Sequence, residues 1–168
     1  MLSSSPELSL YSDNSKVLCY LSDRILPEEV QEKLVPEIQG YLDQWKAHGH
    51  PLKATVFLRH DCFLLIIIDT AYALPSGCSI DALVNFVKKT AQQLDIDFFK
   101  GGQIAYMDNG AVSQIDFRKL KEYVEKGLIH HQTKIFVPVE TYKDLKEKWV
   151  LPAEITWISK YLKNSTLV

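Results

Sequence analysis

The sequence predicts an α+β fold, because short apolar segments alternate with segments of helical periodicity along a chain of 168 residues. Hydrophobic residues make up 46% of the chain and charged residues 24%, which is ordinary for a globular protein. A chain of this length is sufficient for one domain with its own core. We therefore expect residues 1–15 to form a flexible tail and residues 16–168 to form a single α+β domain.

The predicted elements begin with a strand at residues 16–21 (KVLCYL) and a helix over residues 27–45, whose apolar side chains recur at helical spacing. Pro36 lies off that apolar stripe, so we expect either a kink there or two short helices. The elements that follow are strands at 53–60 and 62–69, a helix at 79–94, and a strand at 103–107 that ends at the turn Asp108-Asn109-Gly110.

This β-α-β-β-α-β order is that of a ferredoxin-like antiparallel sheet, in which the first and third strands are central and the other two lie at the edges. The composition agrees, because residues 16–21 and 62–69 (CFLLIIID) are the most apolar of the four strands. We therefore expect these two strands to pair at the centre of a four-stranded sheet. The rest of the chain predicts a C-terminal α-β-α extension, with a helix from about residue 116, a strand near 134–137, and helices at 140–149 and 156–163.

Charge and cysteine content exclude several classes of protein. The formal net charge is −2, so we expect no nucleic-acid or membrane partner. Residues 1–15 show no secretory signal, and the longest apolar run, at 62–68, is far shorter than the ~20 residues of a membrane helix. Cys19, Cys62 and Cys78 have neither paired nor metal-type spacing, which indicates reduced thiols in the cytoplasm.

Four segments carry a resemblance to a known family: WKAHGHPLKA at 45–54, FLLIIID at 63–69, PSGCSIDALV at 75–84 and HQTKIFVP at 131–138. Across most of its length the chain resembles uncharacterised intracellular proteins of similar size, some of which are labelled ABC transporter ATPases. The resemblance implies no established active site. The ATPase label does not fit this chain, because its sequence lacks the Gly-x-x-x-x-Gly-Lys-Ser/Thr loop that binds phosphate in such enzymes.

The predicted topology brings polar side chains to one end of the sheet. The second strand begins there, shortly after His48 and His50, and the third strand ends there at Asp69. The segment Ser76-Gly77-Cys78-Ser79-Ile80-Asp81 leads into the second helix at the same end, and the fourth strand ends there at Asp108. Imidazole, thiol and carboxylate groups are the usual parts of acid–base and nucleophilic sites.

Cys78 is the candidate nucleophile, because a helix N-terminus can lower a thiol pKa from ~8.5 to roughly 3.5–7.5. His48 is the candidate base. The candidate binding residues are His50, Asp69, Ser76, Gly77, Ser79 and Asp81. A His-x-His pair can share a metal ion with a carboxylate, but no second ligand pair is evident, so no metal site is predicted.

Each candidate also has a purely structural interpretation. Ser79 is a candidate N-cap with Asp81 in the first turn of its helix, and Gly77 permits the turn before it. Gly49 is suited to end the first helix, which leaves the two histidines in a solvated loop. Asp69 is suited to cap a turn. Cys19 and Cys62 lie in apolar strands and are expected to be inert core thiols.

Three functions from different classes remain. We favour a non-catalytic module that binds a small ligand or regulates a partner through a polar site at one sheet end, with a small anionic molecule as its ligand and no cofactor. The first alternative is a small thiol-dependent enzyme that uses Cys78 with a histidine base. The second is a scaffold that self-associates into a homo-oligomer through its sheet edges or faces.

Overall fold

The computed structural model describes residues 8–162, which form two compact units. The first unit contains the described chain up to Phe99 and, later in the sequence, Val139–Lys146. The second unit contains Lys100–Pro138 and the described chain from Glu147 onward. Each unit combines antiparallel strands with helices, which confirms the predicted α+β class. Over the described residues, no helix is long and apolar enough to cross a membrane.

The described chain contains nine strands and five α-helices. Their bounds are β1 (Lys16–Leu21), α1 (Glu28–Leu42), β2 (Lys46–Ala47), β3 (His50–Pro51), β4 (Ala54–Arg59), β5 (Phe63–Ile68), α2 (Gly77–Gln93), β6 (Gln103–Asp108), β7 (Ala111–Asp116), α3 (Leu120–Glu125), β8 (Lys134–Phe136), α4 (Tyr142–Glu147), β9 (Val150–Pro152) and α5 (Ser159–Leu162). Helix α1 continues through Pro36, so the alternative of two short helices does not occur.

The first unit is built on a three-stranded antiparallel sheet in the order β1-β5-β4. Lys16 lies opposite Ile68 in the β1–β5 pair, and Ala54 lies opposite Ile68 in the β4–β5 pair. Every residue of β5 is buried, as its apolar sequence requires of a strand covered on both faces. The prediction that the first and third strands pair antiparallel is therefore confirmed, but of the two only β5 is central, and β1 lies at an edge of the sheet.

The fourth predicted strand does not join this sheet. β6 pairs with β7 and β8 in the second unit, whose sheet has the order β7-β6-β8-β9. The four-stranded ferredoxin-like sheet expected from the sequence is therefore not formed, and Asp108 belongs to the second unit, whereas Asp69 belongs to the first. One of the two partners of β6 follows from a local signal: Asn109 and Gly110 have φ values of 48° and 85°, the conformation of a tight hairpin turn that pairs β6 with β7.

The outer edge of β1 is covered by the returning segment Val139–Lys146. The Val17 N–H donates to the carbonyl of Glu140 at 2.8 Å, and the Tyr142 N–H donates to the carbonyl of Ser15 at 2.9 Å. The helix predicted at 140–149 is correspondingly shorter, because its first residues pair with the sheet edge. Residues 8–15, predicted as part of a flexible tail, contribute buried Leu8, Tyr11 and Ser15; residues 1–7 lie outside the described chain.

Helices α1 and α2 provide the core on one face of this sheet. Their buried side chains pack with those of β4 and β5; the fully buried members include Leu34, Ile38, Leu64, Ile66, Ile68, Leu83 and Val87. Gln39 of α1 also forms hydrogen bonds at the outer edge of β4. Its Oε1 accepts from the Val56 N–H at 3.1 Å and from the Thr55 hydroxyl at 3.3 Å. Such side-chain pairing leaves less of the edge open to another strand.

The second unit has a separate core beneath α3 and α5. Ile104 and Ile115 pair across β6 and β7 and pack with a group that includes Leu120, Val124, Ile135 and Leu162. The strands β7 and β9 were not predicted from the sequence, whereas the strand at 134–136 was. The predicted α-β-α extension is therefore divided: its strand and its first and last helices lie in the second unit, while residues up to Lys146 of its middle helix belong to the first.

Candidate functional site

The histidines of the predicted site lie on a small hairpin rather than in a simple loop. Lys46 and Ala47 pair with Pro51 and His50, and the Leu52 N–H donates to the carbonyl of Trp45 at 3.0 Å. The hairpin turns at His48 and Gly49, whose φ values are 50° and 80°. This is the left-handed region in which glycine is favoured. Both histidines are exposed to solvent.

Trp45 joins this hairpin to the start of α2. Its side chain is 4% exposed, and its Nε1–H donates to the carbonyl of Ser79 at 3.0 Å. A buried indole N–H requires such a partner, because an unpaired polar group in the core costs about 1–3 kcal/mol. The hairpin that carries the histidines is therefore anchored beside the first turn of α2.

The segment Ser76–Ser79 forms a capping arrangement at the start of α2. Ser76 is the N-cap, with its Oγ accepting from the Ser79 N–H at 3.1 Å, and the Ser79 hydroxyl donates back to the carbonyl of Ser76 at 2.8 Å. The cap therefore lies three residues earlier than the structural interpretation of the sequence placed it. Gly77 and Cys78 become the first two helical residues, and Asp81 lies beyond the first turn.

Asp69 stabilises the loop that follows β5. Its Oδ1 accepts from the N–H groups of Ala71 and Tyr72, each at 3.1 Å. Its Oδ2 lies 3.4 Å from the Nζ of Lys53, and its own N–H donates to the carbonyl of Lys53 at 2.8 Å. Lys53 and Asp69 thus share one end of the sheet, as the topology predicted, and the carboxylate caps a turn.

The three thiols differ sharply in environment. Burial, with a smaller effect of the neighbouring Cys62, raises the pKa of Cys19 to about 12, and Cys62 itself is fully buried. Cys78 is exposed. Within the described chain, no hydrogen bond joins the Cys78 thiol to His48 or His50, and no three side chains of metal-ligating type are grouped as a metal site requires.

A groove lies between α1 and α2, next to the predicted site. Its volume is about 570 Å³. From α1 it is lined by Glu37, Gly40 and Tyr41, which lie at helical spacing, and just beyond the helix by Gln44; from α2 it is lined by Ser79, Ala82 and Phe86. Trp45 and Lys46 complete the wall at the end where α1 finishes and α2 begins. Of the predicted binding residues, Ser79 is the one that lines this groove.

An aromatic pair and two small residues shape the groove. The rings of Tyr41 and Phe86 are stacked, with centroids 4.2 Å apart and planes inclined by 18°. Gly40 is exposed, and a Cβ added to it would have no heavy atom within 4 Å, so the absent side chain leaves open space. Ala82 is likewise exposed. The groove is therefore open to solvent and partly aromatic.

Sequence reasoning did not find this groove, although one signal was present. Gly40 stands inside a helix, where glycine costs about 0.5–1 kcal/mol relative to alanine and so suggests a functional or packing reason. The stacking of Tyr41 on Phe86 and the bond from Trp45 to Ser79 depend on how the two helices are placed. That placement has no local signature in the sequence.

Comparisons of the chain with protein-family models, curated proteins and solved structures found no match. The resemblance to uncharacterised intracellular proteins accordingly stays a prediction. The candidate site is defined by its geometry: a groove between two helices, with the capped start of α2 and the hairpin at one end of it.

Proposed function

We propose that this protein is a non-catalytic module that binds a small ligand in the groove between α1 and α2. The observation that carries the proposal is the volume of about 570 Å³ beside a stacked aromatic pair. Small-molecule sites commonly have roughly 300–1,000 Å³ and combine aromatic walls with a few polar groups. The glycine at position 40 and the alanine at position 82 leave room for a ligand to approach the helix backbones.

The roles of the other candidate residues support binding rather than catalysis. The Asp69 carboxylate is held by two backbone N–H groups and Lys53, and the hydroxyls of Ser76 and Ser79 are used in capping α2. These groups stabilise the loop after β5 and the first turn of α2, of which Ser79 lines the groove. A general base needs its lone pairs directed at a substrate proton, which these contacts oppose.

The variant Gly40→Leu tests the proposal, because leucine at this exposed helical position extends into the open space. We expect the variant to remain folded and to be more stable by about 0.5–1 kcal/mol, since glycine is a poor helix former. We also expect it to lose at least tenfold in affinity for 2-naphthol, a neutral planar probe titrated while the amide resonances of the protein are followed by NMR. The wild type should show saturable shifts at Gly40 and Ala82.

Gly77→Ala is the matched control, since Gly77 is also an exposed helical glycine with open space at its Cβ but does not line the groove. It should bind 2-naphthol as the wild type does. A folded Gly40→Leu variant with unchanged affinity would contradict the proposal. So would a wild type in which the probe shifts no resonance of α1 or α2.

A second candidate function, a small thiol-dependent enzyme, is favoured by one observation. Cys78 is exposed in the first turn of α2, while Cys19 is partly buried and Cys62 fully buried. Its candidate base, His48, is exposed on the neighbouring hairpin. If this function holds, Cys78→Ser abolishes a reaction that Gly40→Leu leaves intact, whereas a ligand-binding module shows the opposite dependence.

A further inference from the structure

The groove between α1 and α2 carries opposite charges toward its two ends. Lys46 lies just beyond the end of α1, beside Trp45 and the first turn of α2. Glu37 lies further back along α1, on the same face as Gly40 and Tyr41. Both charged residues are exposed, and neither has an ion-pair partner among residues 8–162. Each is therefore available to a ligand.

The helix sets part of the separation between these charges. From Glu37 to Leu42, where α1 ends, is five residues, which at 1.5 Å per residue is about 7.5 Å along the axis of α1. Lys46 follows in β2, at that end of the groove. An extended peptide advances about 3.3–3.6 Å per residue, so about 7.5 Å corresponds to two steps, from the first residue of a tripeptide to the third.

An apolar surface lies between the two charges. The Tyr41 and Phe86 side chains are partly buried, so each keeps part of its surface exposed to the groove. Stacked or edge-to-face contact with such rings favours an aromatic group in a ligand beyond the area it buries. Gly40 provides the space in which that group can approach α1.

We propose that the groove takes a small zwitterion of tripeptide size, with a cationic group toward Glu37, an aromatic group against Tyr41 and Phe86, and an anionic group toward Lys46. This inference rests on the proposed function, since it names the class of ligand for the same groove. A ligand with only one charge can pair with one end and leaves the charge at the other end without a partner in the ligand. A ligand with both charges, separated by an aromatic group, satisfies both ends at once.

The tripeptide Gly-Phe-Gly is the probe, compared with its N-acetyl form, its C-terminal amide and the form blocked at both ends. Affinities are measured by NMR titration at low ionic strength, where exposed charges are least screened. Exposed ion pairs contribute modestly, so each free terminus should improve affinity by about two- to fivefold. The unblocked peptide should therefore bind most tightly, and the doubly blocked peptide least tightly.

Two variants assign the termini to the two ends. Glu37→Gln should remove the advantage of the free amino terminus and keep that of the carboxylate, whereas Lys46→Gln should do the reverse. Glu32→Gln and Lys33→Gln are the matched controls, because both residues are exposed on α1 outside the groove, and both should preserve the full ranking of the peptides.

Equal affinity of the free and doubly blocked peptides would overturn the zwitterion while leaving the groove as a binding site. The zwitterion is equally overturned if Glu37→Gln and Lys46→Gln change the ranking no more than the controls do. If neither the peptides nor 2-naphthol bind, the proposed function fails together with this inference.

Discussion

Replacing Trp45 with phenylalanine tests how the hairpin is anchored to α2. The indole is 4% exposed, and its N–H donates to the carbonyl of Ser79 at 3.0 Å. The variant loses this hydrogen bond, worth about 0.5–1.5 kcal/mol. It also leaves a void, because the phenylalanine ring is smaller than the indole. We take the cost of this void as roughly a third of the ~3–5 kcal/mol cost of a Trp→Ala change, which is about 1–1.5 kcal/mol. We expect the free energy of unfolding to fall by about 2 kcal/mol.

Urea unfolding followed by far-ultraviolet circular dichroism measures this change without relying on the fluorescence of the replaced residue. Trp157→Phe is the control, because Trp157 is 43% exposed and its replacement should change the free energy of unfolding by less than about 0.5 kcal/mol. A Trp45→Phe variant as stable as this control would refute the reasoning. The hairpin would then be held by its own backbone pairs and not by the bond to α2.

Two further predictions concern the thiols of the first unit and a carboxyl group of the second. Ellman's reagent should modify one thiol of the native protein and three thiols after unfolding. The reason is that Cys78 is exposed, whereas burial raises the pKa of Cys19 to about 12 and Cys62 is fully buried. Thiol reactivity that persists in the native Cys78→Ser variant would contradict this. Hydrogen bonds from Arg118 hold the pKa of Asp116 well below its usual range, so its stabilisation is present above the unfolded-state pKa of ~3.9 and is lost as the pH falls. The Asp116→Asn variant should therefore be less stable than the wild type near neutral pH, and the unfolding midpoints of the two proteins should converge as the pH falls. A difference between the midpoints that widens below about pH 4 would contradict this direction of the pH dependence.

The parts of the fold that the sequence predicted correctly are those with local signals. The apolar run of β5 defines that strand within one residue at each end, and the helical spacing of Leu34 and Ile38 defines α1 within one residue at its start and three at its end. The partner of β6 was predicted wrongly, because strand pairing is set by distant parts of the chain. The Asn109-Gly110 dipeptide was the clearest available hint, since it favours a hairpin to the following segment; it was interpreted as a turn, but no strand was predicted after it.

The candidate site divides in the same way. The turn-capping role of Asp69 and the presence of a cap near Ser79 follow from short-range patterns and were anticipated as structural interpretations. The groove depends on contacts between α1 and α2, such as the stacking of Tyr41 on Phe86, which no local pattern specifies. The hairpin around Gly49 was interpreted as the end of a helix, because glycine at positive φ is common both in hairpin turns and at helix C-termini.

The central claim, that the groove between α1 and α2 is a ligand site, is tested most directly by intermolecular nuclear Overhauser effects between 2-naphthol and the protein. We predict cross-peaks from the probe to the ring protons of Tyr41 and Phe86 and to the methyl group of Ala82, all of which line the groove. Saturable binding with cross-peaks only to residues outside α1 and α2 would contradict the account.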